Sequence, residues 1–201
     1  KTRVIKRLID EVIASPPDEN GIGRAAIVLV PEISLTPQAV GFFRSYYKDR
    51  VVVLHSGLSA GEKYDSWRRM SAGEVDVCIG TRSAVFAPFP RIGMIVIDEE
   101  QEHTYKSDMT PRYHAKEIAR YRCAKHNALM LLSSATPSLE AYRKAETGAY
   151  TLVELHTRYG GAILPEVIIA DSRVDLKNGI TGPVGSVLRG EIEKNLAVSE
   201  Q

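Results

Sequence analysis

Five apolar runs of strand length punctuate this chain: Ala25 to Val30, Val51 to Leu54, Val75 to Ile79, Met94 to Ile97 and Leu129 to Leu132. Apart from Asp76, no polar residue enters them. Such runs cannot leave one face in water, so they suit strands of a parallel sheet covered on both sides. The covering material is present. Val4, Ile5, Leu8, Ile9, Val12 and Ile13 recur at spacings of three and four, which predicts a helix over about 2–14, closed by Pro16 and Pro17. Similar periodicity predicts helices over about 35–47, 60–71, 112–125 and 138–146, the second with Trp67 and Met70 turned to the core. Alternating strand and helix implies an α/β fold with helices on both faces of a parallel sheet.

Past residue 150 the rhythm changes. A connection from Tyr159 to Leu164 leads to Pro165, a strand-like Val167 to Ala170, a Gly-rich loop from Asn178 to Gly185 and a helix near 186–196. This divides the chain into a domain over 1–155 and, over 156–201, a linker with the beginning of a second unit.

Composition narrows the function classes. With 26 Lys and Arg against 25 Asp and Glu, the formal net charge is +1, so no global basic field draws the chain to nucleic acid or to an anionic membrane. Any contact with DNA must be local. No apolar stretch approaches a membrane span and no secretory leader is visible, which points to a cytoplasmic location without a membrane partner. Cys78 and Cys123 lack metal-ligand spacing and are read as structural thiols.

In an open parallel sheet the ligand lies beyond the carboxyl ends of the strands. There, Met94 to Ile97 runs into Asp98-Glu99-Glu100-Gln101. Paired carboxylates at a strand end can divide the work of nucleotide hydrolysis, Asp98 holding Mg²⁺ and Glu99 accepting the proton of the attacking water. A solvated acidic turn is the alternative. Lys1 and Thr2 open a helix as the last two residues of a phosphate-binding loop do; in that role Lys1 reaches the ATP phosphates and Thr2 ligates Mg²⁺. Ser134 and Thr136 follow the last strand, where they either bond to the acidic loop and the nucleotide or cap the helix near Ser138.

Taken together, these stretches resemble a family. Lys1-Thr2, Leu29 to Gln38 (LVPEISLTPQ), Leu54 to Ser59 (LHSGLS), Gly80 to Phe89 (GTRSAVFAPF), Asp98 to Gln101 (DEEQ) and Ser133 to Glu140 (SSATPSLE) follow the order of superfamily 2 helicase motifs. The wording is similar to that of the PriA, or primosomal protein N′, family of replication-restart DNA helicases. The resemblance implies a RecA-like first motor lobe, entered inside its phosphate-binding loop and left at the threshold of the second lobe. It also implies an ATP-dependent 3′ to 5′ helicase in the intact protein, with the fragment alone inactive. Gln101 stands where the motif usually carries His. Implied partners are single-stranded and forked DNA, primosome proteins and single-strand-binding protein; zinc belongs to a cysteine-rich module of the parent and not to this stretch.

The segment Gln101 to Ala119 interleaves cations with aromatics, the composition that stacks on bases while pairing with phosphates. Tyr105, Lys106, Arg112, Tyr113 and His114 are its candidate DNA contacts, and the resemblance matches it to an aromatic-rich loop coupling DNA to hydrolysis. Tyr113 could equally be a core residue and Lys106 merely solvated. Further candidates follow other strands: Pro31, Thr36 and Gln38, then His55, then Thr81 and Arg82. Capping for the threonines and a structural ion pair for Arg82 are the bland alternatives. Two other functions stay open: a non-catalytic nucleic-acid or partner-binding module on a helicase fold, and the motor of another superfamily 2 translocase.

Overall fold

The computed structural model describes residues 1–156 and 167–197, so the connection from Tyr159 to Leu164, Pro165 and the final Ser199 to Gln201 lie outside the described residues. Two compact units divide the chain, Lys1–Leu152 and Val153–Gln201.

The first unit is the predicted parallel sheet. Strands β1 (Ala25–Leu29), β2 (Val51–Leu54), β3 (Val77–Gly80), β4 (Ile92–Asp98) and β5 (Leu129–Ser133) stand in the order β2-β3-β1-β4-β5, all parallel. Their helices are α1 (Thr2–Ile13), α2 (Pro37–Tyr47), α3 (Ala60–Ser71), α4 (Ala115–His126) and α5 (Leu139–Glu146). Because successive residues of a strand point to opposite faces, the apolar runs feed two cores. Ile27, Leu29, Cys78, Ile95 and Ile97 pack with Met70 of α3 and with Ala115, Ala119 and Cys123 of α4. On the opposite face Ala26, Val28, Val77, Met94 and Val96 pack with Ile5 and Ile9 of α1 and Phe43 of α2. Each such aliphatic side chain, fully buried, contributes about 1.5–3 kcal/mol.

Local sequence sets the element ends. Ser59 and Glu62 form a capping box at the start of α3, and Thr36 accepts from the Ala39 N–H at the start of α2. Asn127, in the left-handed region, closes α4. The predicted helix over 35–47 is preceded by a separate 3₁₀ turn, Glu32–Ser34, because Pro37 occupies the first helical position and Thr36 stays extended to cap it. Trp67 departs from expectation: it is 54% exposed while Met70, three residues on, is 1% exposed.

The second unit contains α6 (Ser172–Lys177) and α7 (Ser186–Ala197). The Asp175 carboxylate accepts from the Ser186 N–H at 3.1 Å and from its hydroxyl, tying the two helices. Val167 to Ala170 is not a strand; these residues have no sheet partner among the described residues, and Ile169 is 93% exposed. Among the described residues, no helix is long and apolar enough to cross a membrane.

Candidate active site

The path from β3 to β4 crosses over β1, so the topological switch lies between β1 and β4, and their carboxyl ends open the crevice where α/β sheets bind ligands. Asp98 is the last residue of β4 and Glu99 the first beyond it. Glu99 has φ +46°, a conformation that costs a non-glycine residue of the order of 1–3 kcal/mol. The cost is offset by its bonds. The Lys1 ammonium donates to Glu99 Oε1, and Gln101 Nε2 donates to Glu99 Oε2 at 2.9 Å. Gln101 and then Lys1 hold the Glu99 carboxyl below its ordinary value.

The chain of bonds continues. Ser134 Oγ donates to Gln101 Oε1 at 2.6 Å and accepts from the Thr136 N–H at 2.9 Å. Ser134 thus meets the acidic loop, whereas Thr136 takes part through its backbone. Gln101 bridges the carboxylate at the β4 end to the loop after β5 with one amide, donating on one side and accepting on the other.

Asp98 differs from its neighbours. Its Oδ1 is buried and has no hydrogen-bond partner, with the Lys1 ammonium 3.7 Å away. An orphaned carboxylate oxygen is costly unless a cation completes it. A hard oxygen donor of this kind suits Mg²⁺, which binds through one or two protein oxygens plus substrate phosphates and water. Among the described residues, no three His, Cys, Asp or Glu side chains gather into a metal-binding group. Burial pushes the Cys78 thiol up to about 12 and the Cys123 thiol up to about 11, so neither is a ready thiolate ligand.

Glu100 was not singled out from sequence, yet it is the buried member of the acidic run, 1% exposed. It accepts from Lys116 at 2.5 Å, from the Ser138 N–H at 2.6 Å and from the Ser138 hydroxyl at 3.1 Å. Ser138 also caps α5. Burial raises the Glu100 carboxyl, but Lys116 and Ser138 together outweigh it and leave the group below its ordinary value. Glu100 therefore joins the acidic loop, α4 and the start of α5. The signal in sequence was the third acid of the run, with a lysine sixteen positions later.

The aromatic-rich segment is corrected in part. Tyr105 is fully buried, its hydroxyl donating between the carbonyls of Leu29 at 3.1 Å and Asp98 at 2.5 Å. Its ring cannot stack on a base; it bolts the ends of β1 and β4 together. Tyr113 is half-buried against the core, edge-on to Phe86 at 5.0 Å. Among the described residues Arg82 makes no ion pair; its guanidinium donates to the carbonyls of Thr104 and Lys106 and lies 5.8 Å over the Tyr113 ring. His114 caps α4, its Nδ1 accepting from the Lys116 N–H, and burial lowers its pKa. Lys106 and Arg112 are exposed, flanking a tip that the Ser107 N–H pins by donating to Tyr113.

The other rim candidates separate similarly. Pro31 is buried and offers no side-chain surface to DNA. Thr36 and Gln38 are exposed, and His55 and Thr81 half-buried, on loops that open on the same carboxyl edge. Gly80 allows a close approach of the chain to itself: a Cβ there would lie 2.4 Å from the Leu54 carbonyl.

A family model described as DEAD/DEAH box helicase matches residues 1–145, the stretch that carries the sheet and the acidic loop. The chain belongs to the DEAD/DEAH box helicase family. As a helicase lobe its fold is the expected RecA-like α/β sheet. The resemblance to PriA is borne out: the chain is 46% identical over its whole 201 residues to the replication restart protein PriA of Bacillus subtilis (strain 168), covering 24% of that protein. It is 44% identical over 81% of its length to the replication restart protein PriA of Synechocystis sp., covering 20% of that protein. This helicase chain thus spans about a quarter or less of the curated relatives it matches. A solved structure, the C-terminal domain of the DEAD-box protein Dbp5, aligns at 17% identity and a TM-score of 0.46, over 75% of this chain and 81% of that one.

Proposed function

We propose that this chain is the ATP-binding motor lobe of a replication-restart DNA helicase, in which hydrolysis drives 3′ to 5′ movement along single-stranded DNA at forks. One observation carries the reading. The ammonium of Lys1, the residue before the first helix, lies on the strand-end carboxylates, beside an Asp98 oxygen that is buried and has no hydrogen-bond partner.

Each group has a role that follows from its surroundings. Lys1 neutralises the carboxylates here, and the phosphates of ATP are the stronger anion for it to move to. With Lys1 drawn away, Glu99 loses one of the bonds that depress its pKa and becomes a better acceptor for the proton of the attacking water. Mg²⁺ held by Asp98 and Thr2 would neutralise charge on the transferring phosphoryl group. Gln101 and Ser134 carry a change at Glu99 to the loop after β5. Lys106, Arg112, Thr36, Gln38 and Thr81 offer phosphate contacts on the rim, which favour salt-sensitive binding with little sequence preference. The relatives' name, replication restart protein, supports a role in replication restart; a cytoplasmic setting with forked DNA, primosome proteins and single-strand-binding protein as partners belongs to the same proposal.

The test is nucleotide binding by this chain with a fluorescent ATP analogue. Mg²⁺ is expected to tighten binding to the wild-type chain and to have little effect on Asp98→Asn. An equal Mg²⁺ response in both removes Asp98 from the proposed role.

A further inference from the structure

Trp67 is the only tryptophan of the chain and stands half out of the surface. It is not isolated. Together with Phe86, itself 50% exposed, it walls a cavity of about 210 Å³ between α3 and the 3₁₀ turn Arg82–Phe86. Leu54 and Met70 contribute apolar surface, and His55 and Lys63 complete the lining. Among the described residues no carboxylate lines it, whereas the cavity of about 430 Å³ at the acidic loop mixes four glutamates with Lys106, Lys116 and Lys144. The site opens beside the loops that follow β2 and β3, on the rim that offers the phosphate contacts.

We infer that this cavity receives one unstacked base of a single-stranded DNA, held between Trp67 and Phe86. The volume suits a single planar ring system, and the two exposed aromatics give it faces to lie against. Lys63 and His55 place positive or polarisable edges where the adjoining phosphates would run, which is the charge complementarity a polyanion needs. Aromatic stacking tolerates any base. Phe86 also meets Tyr113, over which Arg82 lies, so an occupied cavity is joined by direct contact to the loop beyond the acidic run. This inference rests on the proposed reading of the carboxyl rim as a DNA surface.

Because Trp67 is the sole indole, its emission reports the cavity and nothing else. The experiment titrates this 201-residue chain with labelled oligothymidylate, following label anisotropy and Trp67 fluorescence together, and repeats it with an abasic oligomer of the same length. Expected are binding of both, Trp67 quenching by the oligothymidylate alone, and roughly tenfold weaker oligothymidylate binding by Phe86→Ala. Trp67→Phe should keep the affinity, since a ring remains, and Trp67→Ala should lose it about as far as Phe86→Ala does. Binding without quenching, and unchanged in Phe86→Ala, overturns the base site while leaving the DNA surface standing. Absence of any anisotropy change overturns both. A concentration-dependent blue shift of Trp67 without DNA quenching would show a second copy of the chain covering the cavity, and also overturns the inference.

Discussion

Glu100 and Tyr105 set the accuracy of the site from below. Glu100 is a buried anion with three donors, and removing one partner of such a pair strands a charge. Glu100→Gln is expected to destabilise the chain by about 2–4 kcal/mol, measured by urea unfolding at neutral pH. The folded carboxyl titrates below the unfolded one, so its stabilisation is fully present above about pH 4.5 and is lost as pH falls through the folded value. The variant should therefore lose less stability than the wild type as pH drops from 5 towards 3 (roughly the window in which carboxyls titrate). Tyr105→Phe separates structure from DNA contact. It removes the hydroxyl that ties Leu29 to Asp98, for a loss of about 1 kcal/mol and a melting temperature about 2–4 °C lower, with DNA affinity unchanged. Arg112→Ala should do the reverse, keeping the fold but lowering the salt slope of DNA binding by about 1.

At the scale of elements, the close approach at Gly80 is where the rim is least tolerant. A Cβ there meets the Leu54 carbonyl at 2.4 Å and the Ala84 Cβ at 2.7 Å, neither of which is the free end of a side chain. Gly80→Ala is expected to cost about 2–3 kcal/mol. Gly61→Ala, in α3 with open space around it, should be neutral or stabilise by up to about 1 kcal/mol in the same thermal melt. The contrast shows what a sequence can and cannot disclose. The strand from Ala25 is legible because burial on both faces leaves an unbroken apolar run; the edge strand from Leu129 has the same run although Leu129 itself is 49% exposed. The acidic loop was legible because Asp98 and Glu99 end such a run. Side-chain direction was not: Trp67 and Met70 share a helix turn, and only the packing of α3 on β2 tells which one is inside. Charged chain neighbours make Tyr105 read as a surface aromatic, yet its ring packs in the core with Leu29 and Ile97. Val167 to Ile169 has strand composition but no strand to pair with among the described residues, which no local pattern reveals.

For the molecule as a whole, the decisive property on the proposed reading is that the first unit supplies one wall of a nucleotide site. Lys1, Asp98 and Glu99 keep 34%, 23% and 30% of their side chains in water. Charges in that setting interact through a dielectric nearer that of water than of a protein interior, which divides their hold on a phosphoryl transition state several-fold. Catalysis by electrostatic stabilisation needs the water-excluded site that a facing lobe supplies. This chain spans about a quarter of its Bacillus relative, so the remaining three quarters are where such a wall belongs on the proposed reading. Accordingly the 201-residue chain is expected to bind nucleotide with Mg²⁺ but to show no DNA-stimulated phosphate release. A full-length protein carrying the same sequence should show it, and Glu99→Gln there should abolish turnover while sparing nucleotide binding. Robust DNA-stimulated turnover by the chain alone would mean that one wall suffices, and the division of labour between Lys1, Asp98 and Glu99 would then have to work in open water.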